Sequence, residues 1–350
     1  MLAGLLVAGI TTLAGWIILR TVDIPKFTLV QFGTVLGIAA ATIVLIVFMI
    51  GYRQSTERLI QYGRLRKLRQ FLISLSLAFV HSAIVFLFMV AISNIASNYV
   101  SGVEFDDGTT LTSIAAVSAL SAYTALVMSA SMTASKIVGT LMAFIVAGVL
   151  TSMITAGDSL WWTHHFSALG AGGTASSYAF NLTMILGGIV VASLADYIVT
   201  DLHQIYTLDS KHVLKRMNFL RWGFIGVGIS MLGIALFPYD EFLTIHNIFG
   251  YGMSMIFAVL IMILPWIVPI FPRIFYVVSY IFIGLAGFSY FYLWKGVGSI
   301  SFIIAEMIAV LLFFVWLVLF VRQINAVYSD EEHFVSQSGY RIAVKGENNK

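Results

Sequence analysis

The stretch 158-DSLWWTHHFSALGAGGTASSYAFN-181 sets an acid, two adjacent histidines and a serine ahead of a run of small residues and a long apolar segment. Imidazole beside carboxylate exchanges protons near neutral pH or holds a divalent cation. A second group of the same chemistry follows in 240-DEFLTIHN-247. Asp158, His164, His165 and Ser167 in the first group and Asp240, His246 and Asn247 in the second are the candidate ligand-binding residues. A metal centre needs three or four convergent ligands. No H-E-x-x-H occurs, and His164 and His165, as chain neighbours, point in different directions on any regular element. No metal and no cofactor is therefore expected. Ser167 lacks the G-x-S-x-G elbow that exposes a nucleophile, so no catalytic residue is assigned.

Two further acids and one histidine fall inside apolar runs, where an ionisable side chain is a functional candidate by default. Glu306, in 301-SFIIAEMIAVLLFF-314, is placed about two turns inside a span, and His81, in 77-LAFVHSAIVF-86, near the middle of another. Together they form a candidate proton relay, the alternative being that each is neutral and bonded within its own surroundings. Asp196 stands within a turn of a span's end, within reach of the interface.

The elements that position these residues follow from composition. The chain has 350 residues, 60% hydrophobic and 10% charged, with a mean hydropathy of +0.96. Soluble domains carry about one quarter charged residues, so this is a multi-pass membrane protein. Cysteine is absent, which excludes disulfides and thiolate chemistry. A crossing helix needs roughly 20 apolar residues, and ten segments qualify: about 2–19, 29–51, 71–95, 111–130, 137–155, 179–199, 222–238, 249–271, 274–293 and 300–321. The fold class is all-α, a polytopic transmembrane helix bundle, and the first segment, with no basic flank or cleavage site, reads as a retained span.

With both termini cytoplasmic, every basic residue except Arg20, Lys26 and Lys295 falls on the inner side, as the positive-inside rule requires. The net charge of +3 is then a topology signal, and no nucleic-acid partner is implied. The organisation read from this is a four-span region over 1–136 with the basic loop 53-RQSTERLIQYGRLRKLRQ-70, a six-span membrane domain over 137–325, and a flexible cytoplasmic tail over 326–350. Trp161 and Trp162 suit the headgroup level, and the glycines of 168-ALGAGGTASS-177 disfavour a helix, which predicts a membrane-hugging outer loop. Asp240, just after Pro238, is expected to cap the next helix. The sequon Asn181-Leu-Thr183 lies just inside a span and carries no assignment.

Two segments, 161-WWTHHFSALGAGGTASSYAFNLTMILGGIVV-191 and 233-GIALFPYDEFLTIHNIFGYGM-253, resemble the bacterial membrane proteins of domain-of-unknown-function family 998. The resemblance covers roughly residues 140–325. It implies a polytopic protein of the bacterial cell membrane, and rests on Ser167, Gly170, Asn181, Gly187, Phe237, Pro238, Asp240, His246 and Asn247. The expected function is binding of a lipid headgroup, a small ligand or an envelope protein partner at the outer face, with membrane lipids as constant neighbours. The alternatives are a secondary transporter, coupled to protons through Glu306 and His81, and an intramembrane lipid-modifying enzyme using the outer His and Asp residues.

Overall fold

A computed structural model describes residues 27–56, 64–100, 102–103, 105–205, 210–296 and 298–347. Among these residues the chain is helical throughout, without strands: α1 (Leu29–Thr56), α2 (Arg64–Ser97), α3 (Asp107–Ser129), α4 (Ala134–Ile154), α5 (Ala175–Ile205), α6 (Ser210–Leu236), α7 (Leu243–Ile267), α8 (Arg273–Gly296) and α9 (Gly298–Glu347). All nine are long and apolar enough to cross a membrane. They match nine of the ten expected spans, and the remaining one, about 2–19, lies outside the described residues.

Local chemistry starts several of these helices where the sequence allows. Thr28 and Gln31 form a reciprocal capping pair at the head of α1, the Thr28 amide donating to Gln31 Oε1 at 3.0 Å and the Gln31 amide to Thr28 Oγ1 at 3.4 Å. Asp106 caps α3 by accepting the Thr109 amide at 2.7 Å, and Thr133 caps α4. Pro238, two residues past the end of α6, bars its continuation. At the other end of the chain the structure departs from the expected tail, since α9 continues as helix to Glu347. Propagation from a turn already fixed in the bundle is far easier than nucleation, and 328–347 contains no proline to stop it.

Helices α4, α5, α6 and α7 pack in sequence, α1 joins α2 and α3, and α9 lies against α4, α5 and α8. In lipid, such association relies on close packing of small residues. Backbone comes closest to backbone at the α5–α6 crossing, where a Cβ built on Gly188 would stand 2.5 Å from the Gly228 carbonyl oxygen and one on Gly228 would stand 2.4 Å from that of Gly188. Between α4 and α5, Gly148 takes the side chain of Thr183. At the basic end an aromatic core joins α6 to α9, with Trp316 stacked on Phe320 at 4.9 Å and its indole donating to Ser279 Oγ of α8 at 2.9 Å. Asp196 of α5 pairs with Arg221 of α6 at 3.3 Å, so it serves helix association rather than projecting alone to the interface.

Candidate functional site

Part of the opening stretch leaves the surface: residues 158–160, 162, 164 and 172–175 are exposed, while Phe166, Leu169 and Gly170 are buried. Between α4 and α5 it makes two short 3-10 turns, Trp161–Thr163 and Phe166–Gly170, and the second folds back into the end of the bundle. Phe166, Leu169 and Gly170 are buried, and Phe166 and Leu169 cluster with Phe180 of α5, Ile234 of α6 and Ile303 of α9. Trp161 packs against this cluster while Trp162 stays exposed. The expected outer loop is corrected over 166–170 alone: burying Phe166 and Leu169 under three helix ends removes more apolar surface from contact with water than leaving them at the surface. Gly172 and Gly173, with φ of 82° and 62°, turn the chain out of this inset into α5, a conformation in which a side chain is strained.

Three long-range hydrogen bonds hold the inset. The Phe166 amide, an orphan donor at the start of its turn, donates to Glu306 Oε2 of α9 at 2.6 Å. The Gly172 amide donates to Asp240 Oδ2 at 3.1 Å. Asn181 Nδ2 of α5 donates to the Gly170 carbonyl at 2.9 Å, which gives the residue of the apparent sequon a positioning role. Asp240 is thus not a helix cap: α7 begins only at Leu243, with Phe242 at its head and no side-chain cap bond. The extra turn at 239–241 carries the carboxylate across to the neighbouring loop, where an unpaired amide awaits it.

The two expected loops meet at this end of the molecule. The rings of His165 and Tyr239 are 4.8 Å apart and those of Tyr239 and His246 are 6.0 Å apart. His246 is buried, and its Nδ1–H donates to the Phe237 carbonyl at 2.9 Å, which leaves Nε2 as the acceptor nitrogen. His164 turns the other way, 3.7 Å from Asp158, both side chains being well exposed. Asp158 also accepts the Leu160 amide. Ser167 is placed in the inset and Asn247 beside His246, but no hydrogen bond joins either side chain to the cluster among the described residues. No group of three or more His, Asp or Glu side chains with metal-binding geometry occurs among the described residues. Tyr239, between the two histidines, was not singled out by sequence; its only signal is the place beside Pro238 and Asp240.

Burial, then the neighbouring His164 and His246, hold the His165 imidazole below the usual histidine range. The closed loop therefore takes up a proton less readily than an opened one. Its contribution to closure is fully present above the unperturbed value of about 6.5 and falls as the pH drops through the depressed native value. Proteolytic cleavage within 158–177 is expected to quicken between pH 7.5 and 5 in the wild type and to lose much of that dependence in His165→Phe. Identical pH profiles for the two proteins would rule out His165 as the titrating group.

The expected pairing of Glu306 with His81 is not made. His81 Nδ1–H donates to the Leu77 carbonyl at 2.8 Å, Nε2 faces the Thr140 hydroxyl at 3.5 Å, and the ring lies 4.4 Å from Phe48. These partners satisfy a neutral imidazole between α1, α2 and α4, whereas Glu306 of α9 binds the Phe166 amide of the inset. The α-helical backbone carbonyl one turn before His81 is the nearer acceptor, which is why no acid is needed there. No protein-family model, curated protein or solved structure matches the chain.

Proposed function

We propose that this is a bacterial cell-membrane protein whose outer face binds a small ligand or a lipid headgroup, and that both termini are cytoplasmic. The observation that carries the reading is the inset of 158–177. It is folded into the basic-poor end of the bundle and held by Glu306, Asp240 and Asn181, which gathers His165, Tyr239 and His246 from separate elements at one rim. Polar side chains brought together at a membrane-facing end are the usual means of orienting a ligand. The resemblance to family 998, which runs through the same two segments, supports a bacterial envelope location.

Native mass spectrometry of the full chain extracted in mild detergent tests the binding reading. Retained lipid or small-molecule adducts are expected in the wild type and should fall at least severalfold in His165→Ala/His246→Ala. A wild type without adducts, also after incubation with a bacterial lipid extract, would overturn it. Orientation is tested separately by cysteine labelling, since the chain has no native cysteine. Impermeant reagent is expected to modify Ser101→Cys and Ser299→Cys in intact cells and to spare Ser55→Cys and Ser336→Cys. The reverse pattern inverts the topology.

One observation favours a second reading, a proton-coupled transporter: the carboxylate that grips the inset, Glu306, is itself inside a span. Proton uptake there changes what holds the loop. Loss of pH-dependent flux in proteoliposomes of Glu306→Gln, with the fold intact, is the expected result under that reading, and unchanged flux excludes it.

A further inference from the structure

At the basic end of the bundle, away from the inset, a cation is held in place without a counter-ion among the described residues. Arg216 stands in the second turn of α6 and Trp266 in the last turn of α7, where the first of these spans begins and the second ends. The guanidinium lies over the Trp266 indole, its Cζ 5.0 Å from the ring centroid. Its Nη1–H donates to the Trp266 carbonyl at 3.3 Å, one of the carbonyls that a helix end leaves without a partner. Stacking and hydrogen bond together orient the group. No other hydrogen bond and no ion pair reaches Arg216 among the described residues, whereas Arg221 on the same helix is paired with Asp196. The planar fork thus keeps donors for a partner outside the chain. Phe219 stands edge-on to Trp266 at 5.8 Å, and Trp222 follows it on α6. Phe219, Trp222 and Trp266 are 53%, 68% and 50% exposed, an aromatic shelf beside the guanidinium with no protein over it among the described residues.

Indoles sit at the headgroup level of any membrane, and by themselves they select no lipid. The guanidinium adds a selection by charge. Two oxygens of a phosphate match its fork. A zwitterionic headgroup brings an ammonium that the Arg216 charge repels, and a headgroup whose only charge is its phosphate does not. Lys215, next in the chain and one turn before Phe219, adds to the positive charge of this end. A dissolved anion would meet one exposed ionic contact, which is weak in water, whereas a lipid is confined by its chains to the plane of the site at high effective concentration. We propose that Arg216 and the shelf of Phe219, Trp222 and Trp266 form a site for an anionic phospholipid. Its phosphate meets the guanidinium, and its glycerol and upper chains lie on the aromatics and on Met262, 54% exposed one turn deeper in α7. The site is about 30 Å along α6 from the rim at Tyr239 and is independent of the outer-face reading.

The test is lipid retention by the full chain in nonionic detergent, read by native mass spectrometry. Chain-matched phosphatidylglycerol and phosphatidylethanolamine compete, and glycerol phosphate serves as the probe without chains. The wild type is expected to retain phosphatidylglycerol about fivefold over phosphatidylethanolamine. Arg216→Gln should remove that preference, and Trp222→Leu should lower the retention of phosphatidylglycerol. Arg322→Gln, which takes the same charge from an exposed position near the basic end of α9, should leave the preference unchanged, as should His165→Ala/His246→Ala. Thermal melts accompany each variant, and Arg216→Lys, which restores the charge and a donor, is expected to recover part of the preference that a damaged fold would not. Equal retention of the two lipids by the wild type overturns the site. So does a preference that persists in Arg216→Gln, or one that falls as far in Arg322→Gln. Glycerol phosphate retained as well as phosphatidylglycerol overturns a lipid as the occupant.

Discussion

Alanine at Gly188 or Gly228 is expected to cost about 3 kcal/mol each, the upper end of the range for overpacking. The reason is what the added methyl meets. At both positions it falls under 3 Å from a carbonyl oxygen of the facing helix, and backbone in a fixed crossing cannot move aside as the tip of a flexible side chain does. The helices must separate, and with them the contacts of α5 and α6 along their length. Gly139 of α4 is the matched control, since a methyl there meets nothing within 4 Å and alanine has the higher helix propensity. Thermal unfolding in detergent should place Gly139→Ala at or above the wild type and both crossing variants far below it. A Gly228→Ala protein melting with the wild type would mean that the α5–α6 contact is looser than described.

Freeing the inset is the second large effect. Glu306→Leu strands the Phe166 amide and Asp240→Ala strands that of Gly172. A buried donor left without a partner costs about 1–3 kcal/mol, and Phe166 is buried, so the first substitution should weigh more. Because both bonds hold one short segment, the substitutions are expected to couple: once either has opened the loop, the other has less to lose. Hydrogen exchange over 158–177 should rise in each single variant, and in the double variant by less than the sum of the two free-energy changes. Unchanged exchange in Glu306→Leu would show that apolar burial of Phe166 and Leu169 holds the inset without its hydrogen bonds.

Hydropathy made the spans legible because a crossing helix is a one-dimensional feature, set by twenty consecutive residues, and α1 to α9 fall where those runs fall. That Glu306 falls within such a helix was legible for the same reason. Its partner was not, because the donor is the Phe166 amide and a main-chain group leaves no mark in the residue types. Asp240 shows the same limit from the other side: a carboxylate after a proline caps a helix in one setting and reaches a distant loop in another, and only the start of α7 at Leu243 decides between them. Phe166 and Leu169 are equally suited to a membrane interface and to a bundle interior, so the inset could not be told from a surface loop. The histidine pair fared better, since the opposite directions of adjacent side chains are a property of the backbone itself.

The anchors of the inset are far apart in synthesis. Gly170 finds Asn181 almost at once, but Gly172 waits for residue 240 and Phe166 for residue 306 on α9. Until α9 enters the membrane, the segment is tethered at one end and open to any protease on its side. Closure of this face therefore awaits α9, and a polypeptide truncated before it would leave the segment held by Asn181 and Asp240 alone.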